Sequence, residues 1–150
     1  MKITFCGHRQ LELSKEESES IKNFLVKKIE ACPNATFYLG GYGDFDNTVF
    51  ELLKEIQKDF PKIELIFVSP YLDPSYAKLS YAKEIYDDII YPPIEKVPKK
   101  FAILKRNEWM VDQSDFVVSY VKYPWGGAGK TLDYAVKKHK PYVNFAQSTQ

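Results

Sequence analysis

The stretch FVVSYVKYPWGGAGKTLDYAVKKHKPYVNF, residues 116–145, decides the fold. Phe116 to Val121 is an apolar, β-rich run of strand length. A glycine-rich turn follows, then a helical segment from Thr131 to Lys138 and a short strand from Pro141 to Phe145. Strand, turn, helix and strand within about 30 residues form one unit of a parallel sheet.

The same alternation runs back to the first residues. Lys2 to Cys6 is a short strand that stops at Gly7. Ser14 and Glu17 have capping-box spacing, and Ile21, Phe24, Leu25 and Ile29 recur behind them at helical intervals until Pro33 and Asn34. Thr36 to Leu39 is a second strand, ending in GGYGD. Asn47 to Phe60 carries Val49, Leu52, Leu53, Ile56 and Phe60 on one helical stripe, and Pro61 stops it. Ile63 to Ser69 is apolar almost throughout, as a strand buried on both faces is. The Pro- and Tyr-rich residues 70–98 interrupt the rhythm; a short helix near Ser75 to Tyr86 and a short strand near Asp88 to Tyr91 are expected there. Phe101 to Asp112 is the helix before the penultimate strand. The pattern predicts one α/β domain over residues 1–150, doubly wound, with a mostly parallel sheet and helices on both faces.

Composition narrows the function. Twenty-one basic against twenty acidic side chains leave a formal charge of +1, which argues against nucleic acid as the main partner and against an anionic membrane. No apolar run approaches the roughly 20 residues of a membrane span. The opening MKITFCGHR reads as a strand, not a secretory signal. Cys6 and Cys32 lack metal-ligand spacing and fit reduced thiols, so a cytoplasmic protein without metal or resident cofactor is expected.

All seven glycines fall just after predicted strands: Gly7 after the first, Gly40, Gly41 and Gly43 after the second, Gly126, Gly127 and Gly129 after the penultimate one. In a parallel sheet those turns share the carboxyl edge, where open α/β folds bind ligands. Glycine lets a backbone approach a ligand closely, and a helix start beyond it offers N–H groups to phosphate. Gly129-Lys130-Thr131 is not a Walker A loop, because Pro124 stands where that motif needs glycine. No GxGxxG occurs either, which argues against an ordinary NAD dehydrogenase.

Polar side chains reach the same edge. His8 and Arg9 follow Gly7, and a guanidinium there suits phosphate or carboxylate. Asp44 and Asp46 can accept from ribose hydroxyls or cap the next helix. Arg106, Trp109 and Met110 share a region of one helix, where a charge near the core needs a partner. Asp133 is read in the first turn of the last long helix, directed at the glycine loop.

Together these residues resemble the SLOG superfamily, the Rossmann-like group that includes the Lonely Guy phosphoribohydrolases and the DNA-processing protein DprA. Arg106-Asn107-Glu108-Trp109-Met110 is similar to the hydrolases' R-K-x-x-M motif, and Gly126-Gly127-Ala128-Gly129-Lys130-Thr131-Leu132-Asp133 to their G-G-x-G-T-x-x-E motif. TFCGHR and LGGYGDFD look like the corresponding turns of small stand-alone bacterial SLOG proteins. The resemblance implies a nucleotide-type ligand, a homodimer, and catalytic roles for Arg106 and Asp133. It also has departures: Asn107 replaces the lysine, Lys130 stands at the threonine, and Asp133 is one methylene shorter than glutamate.

Three functions fit. The first is a sensor or carrier of a nucleotide or nucleotide-derived ligand. Its phosphate would lie on the glycine turns, Lys130 and Thr131, its ribose on Asp46, and its base on a tyrosine or Trp109. The second is an N-glycosidase acting on nucleoside monophosphates, and the third an interaction protein without a ligand. Missing an intact catalytic pair, the sequence favours binding over turnover, because a 1 Å displacement of a catalytic group can cost about 10²-fold in rate.

Overall fold

The computed structural model describes residues 1–146. Six strands and five α-helices alternate along them. They are β1 (Lys2–Gly7), α1 (Lys15–Ala31), β2 (Thr36–Leu39), α2 (Gly43–Gln57), β3 (Glu64–Val68), α3 (Ala77–Ile85), β4 (Asp88–Ile90), α4 (Ala102–Gln113), β5 (Phe116–Tyr120), α5 (Gly126–Lys137) and β6 (Tyr142–Asn144). A 3₁₀ turn, Lys99–Phe101, leads into α4. All five pairings are parallel and the strand order is β4-β3-β2-β1-β5-β6. The chain winds outward from β1 to β4, then returns to pair β5 on the other side of β1. The topological switch therefore lies between β1 and β5, where such sheets open a crevice at their carboxyl ends.

Side chains alternate across the sheet with period two. Ile3 and Phe5, Phe37 and Leu39, and Val118 and Tyr120 face one layer, where Ile21, Leu25 and Ile29 of α1 and Phe45, Val49 and Leu53 of α2 complete the main core. Cys6, Tyr38, Val68 and Val117 face the other, against Met110 and Val111 of α4 and Ala135 of α5. The Ser14 capping box is present: its hydroxyl accepts from the Glu17 amide at 3.1 Å, and Glu17 returns a carboxylate to the Ser14 amide at 3.0 Å. Among the described residues no helix is long and apolar enough to cross a membrane.

Two helices begin a turn earlier than their apolar patterns indicate. Helix α2 starts at Gly43, with Asp44 and Asp46 in its first turn. The Asp44 carboxylate accepts from the Leu11 amide at 2.8 Å, which ties the entry of α2 to the loop after β1. Helix α5 starts at Gly126, so its glycines are helical first-turn residues and not a loop. Thr131 stabilises that turn by donating its hydroxyl to the Gly127 carbonyl at 2.8 Å. The glycine clusters keep their expected place, since β1, β2 and β5 are parallel and all three clusters follow carboxyl ends.

Candidate functional site

A cleft of about 530 Å³ opens at the switch point between β1 and β5. Its floor is Phe5 and Cys6 from β1 with Ile103 and Met110 from α4; its polar wall is His8, Arg9, Asp46, Arg106, Asn107 and Thr131. Gly126, Gly127 and Ala128, the first turn of α5, close one side. The N-cap residue of α5, Trp125, makes no side-chain capping bond, and the first turn contains no acid. Its amide dipoles therefore point at the cleft without a carboxylate of their own.

The glycines divide into two kinds. A Cβ on Gly7 would drive into the Phe45 ring, and one on Gly129 into the Pro124 carbonyl. Gly40, Gly41 and Gly43 would meet Arg106, Phe67 and the Arg9 backbone at 2.9, 2.7 and 2.7 Å. These five are small because their own protein abuts them, and Gly40, Gly41, Gly43 and Gly129 do not line the cleft. Gly126 and Gly127 meet nothing within 4 Å. Gly126 has φ +82°, which favours glycine by itself. Gly127 has neither a neighbour nor a left-handed backbone to explain it.

Arg106 is 2% exposed, and two of its guanidinium nitrogens are held by its own protein. Nη1 donates to the carbonyls of Gly40 at 3.1 Å and Val68 at 2.7 Å, at the carboxyl ends of β2 and β3. Nε donates to Asn107 Oδ1 at 2.9 Å. Asn107 in turn donates through Nδ2 to Thr131 Oγ1 at 3.3 Å, so the residue that replaces the hydrolases' lysine links α4 to α5. Arg106 contributes to the cleft wall chiefly as a buried charge, its donors turned to its own protein.

Tyr42, within the turn LGGYGDFD but assigned no role of its own from the sequence, has three cations around its ring. Lys78 Nζ, Arg106 Cζ and Arg9 Cζ lie 5.0, 5.7 and 5.9 Å from its centroid. Its hydroxyl bonds that of Tyr76. Asp46 accepts from the Tyr42 amide at 3.3 Å, and among the cleft-lining residues it supplies the carboxylate. Burial pushes Asp46 up to about 6, although Arg106, the Tyr42 amide and Lys78 oppose that shift.

Besides those four glycines, three further expected site residues lie outside the cleft lining. Because α5 begins at Gly126, Asp133 lies about two turns along the helix; its carboxylate pairs with Lys137 at 2.8 Å and is 60% exposed. Lys130 is exposed and outside the cleft lining. Trp109 packs against Tyr38 with ring centroids 5.7 Å apart and also does not line the cleft. The aromatic residues that do line it near the glycines are Tyr123 and Trp125, which the motifs do not include. Their signal is an aromatic pair split by proline immediately before the glycines. His8 accepts from the Lys122 amide at 2.8 Å, and burial followed by the Lys122 charge holds its pKa below the usual value. Among the described residues no group of three His, Cys, Asp or Glu is placed to hold a metal ion.

No protein-family model matches the chain, and no curated protein matches it. Solved structures share its fold. DNA processing protein A (DprA) from Helicobacter pylori, studied for its single-stranded DNA binding mode, superposes with a TM-score of 0.63 at 20% identity, over 96% of this chain and 64% of that one. DprA from Streptococcus pneumoniae gives 0.63 at 18% identity, over 95% and 49%. The molybdenum cofactor carrier protein of Chlamydomonas reinhardtii gives 0.56 at 18% identity, over 97% and 75%. The chain thus spans 64% and 49% of the lengths of the two DNA-processing proteins. Its fold is α/β and Rossmann-like, the fold of these proteins.

One expectation is corrected by these structures. Near-neutral net charge does not exclude nucleic acid as a partner, because a protein of this fold is described by its binding of single-stranded DNA. The physical reason is that net charge sums over the whole surface, whereas a polyanion responds to the local field. Here Arg9, Lys78 and Arg106 gather around one tyrosine at the carboxyl edge.

Proposed function

We propose that the protein binds a phosphorylated nucleoside in the cleft between β1 and β5, as a sensor or carrier. Phosphate takes the first turn of α5 with Arg9, the sugar hydroxyls meet Asp46, and the base lies on the floor of Ile103 and Met110. The observation that carries this reading is Gly127, a cleft-lining glycine that neither packing nor its backbone angle requires. Buried Cys6 and the second free thiol, Cys32, fit a reduced cytoplasmic setting. A hydrolytic version of this reading runs through Asp46, the carboxylate in the cleft, and not through Asp133.

Two glycine variants separate ligand binding from scaffold. Gly127→Ala is expected to leave stability unchanged or raise it by up to about 1 kcal/mol, since alanine suits a helix better. The same variant should weaken AMP binding by roughly 10- to 100-fold, because the added methyl occupies the open space beside the turn and holds the phosphate beyond hydrogen-bond reach of its amides. Gly129→Ala should instead destabilise the fold by about 1–3 kcal/mol, because its Cβ meets the Pro124 backbone. Thermal shift reads both effects, since a ligand at 100 times its dissociation constant adds about 2.7 kcal/mol. A folded wild type that shows no shift with any of a panel of nucleoside phosphates would end the proposal.

A further inference from the structure

The cleft presents two apolar surfaces that differ in exposure. On the floor Cys6 is 6% exposed and Met110 3%, with Ile103 half-buried beside them. The rim is Trp125, 67% exposed. This indole is held in place by a ladder of rings. His8 stacks on Tyr123 with centroids 4.0 Å apart and planes 14° apart, and Tyr123 stacks on Trp125 at 4.5 Å and 20°. His8 is itself 6% exposed and fixed through Nε2 by the Lys122 amide. Both faces of Tyr123 are therefore taken, and the stack continues outward only from the free face of Trp125. An exposed aromatic face held by its neighbours is ready to receive a flat ring with little further loss of side-chain entropy.

The same cleft is lined by polar groups, Arg9, Asp46 and Asn107 among them. A mononucleotide carries one base and covers one of the two apolar surfaces. We propose that the natural ligand carries two bases joined through phosphate, one ring on the floor and the second on Trp125. Its chemical class is a nucleoside–phosphate–nucleoside unit, free as a dinucleotide or present as part of a single strand. This inference rests on the nucleotide reading above and specifies its ligand.

The experiment uses the full chain carrying Trp109→Phe, which leaves Trp125 as the sole indole of the two in the sequence. AMP, the dinucleotide pApA and a short oligodeoxyadenylate are titrated against its fluorescence. Expected are quenching of Trp125 by pApA and an affinity for pApA about 10-fold above that for AMP, as one stacked base supplies. Trp125→Ala should bring the ratio of the two affinities to about one, and Trp125→Tyr should preserve it, which controls for folding. An oligodeoxyadenylate that binds more tightly than pApA identifies a strand as the source; equal affinity identifies the free dinucleotide. Equal affinity of the parent for AMP and pApA, or a ratio untouched by Trp125→Ala, overturns the two-base inference and leaves the nucleotide reading standing. Failure of every probe to bind the folded protein overturns both.

Discussion

Replacing Arg106 with alanine is expected to cost the fold about 3–5 kcal/mol, the largest effect of any single change at the cleft. The guanidinium donates to the Gly40 and Val68 carbonyls and to Asn107, all inside the protein. Alanine leaves those two carbonyls without this donor, and each buried polar group left unsatisfied costs about 1–3 kcal/mol. Release of the buried charge offsets part of the loss, but a cavity the size of the missing side chain adds to it. At this chain length the melting temperature should fall by roughly 10 °C. Arg106→Lys should recover only a fraction, because an ammonium cannot reproduce the planar fork that spans two strand ends. Urea unfolding measures the difference. A variant that melts with the wild type and loses only ligand affinity would return Arg106 to the ligand-anchoring role that its motif implies.

The second large effect is a pH dependence centred on Asp46. Its ordinary value is 3.8 and burial pushes it up to about 6 in the folded protein. A carboxyl raised on folding contributes stability that is fully present below its unfolded pKa and is lost as pH rises through the folded one. Stability from this group should therefore decline from about pH 4 to about pH 7, by up to about 3 kcal/mol at 1.36 kcal/mol per pKa unit. Other carboxyls act in the opposite sense: the Ser14 amide and then Tyr120 hold Glu17 below its usual value, which favours stability at higher pH. Comparing the wild type with Asp46→Asn cancels them, since the substituted amide does not titrate. The difference between the two should decline steadily between about pH 4 and about pH 6 and level off above that. A flat difference across that range would show that Asp46 titrates normally.

Much of the sheet was legible because its signals are local. The short β-rich runs of β1 and β2, the apolar run of β3 and the stripe of α1 each sit within a few residues. The start of α5 was not legible, because glycines before Lys130 carry the local signature of a loop while Thr131 and the Pro124 approach make them helical. That one displacement also misplaced Asp133, which a rise of 1.5 Å per residue carries about 10 Å beyond Gly126. Arg106 could be read as a buried charge in need of partners, but not that its partners are carbonyls at the ends of β2 and β3. The two tryptophans show the limit most clearly. Trp109 has a helical neighbour in Met110 that draws attention, whereas Trp125 gains its setting from Tyr123 and His8, the latter more than a hundred residues away in the chain.

The strand order also has a consequence for synthesis on the ribosome. β1 precedes the other five strands in the chain, yet lies between β2 and β5, with Ile3 opposite Phe116. Translation at about 5–20 residues per second separates the emergence of those two residues by roughly 6 to 23 s. During that interval one edge of β1 has unpaired amides and carbonyls beside the apolar Ile3 and Phe5, an open template for a neighbouring nascent chain. The crevice that later receives a ligand is, until β5 arrives, the most vulnerable flank of the growing protein, and the one a chaperone has most reason to cover.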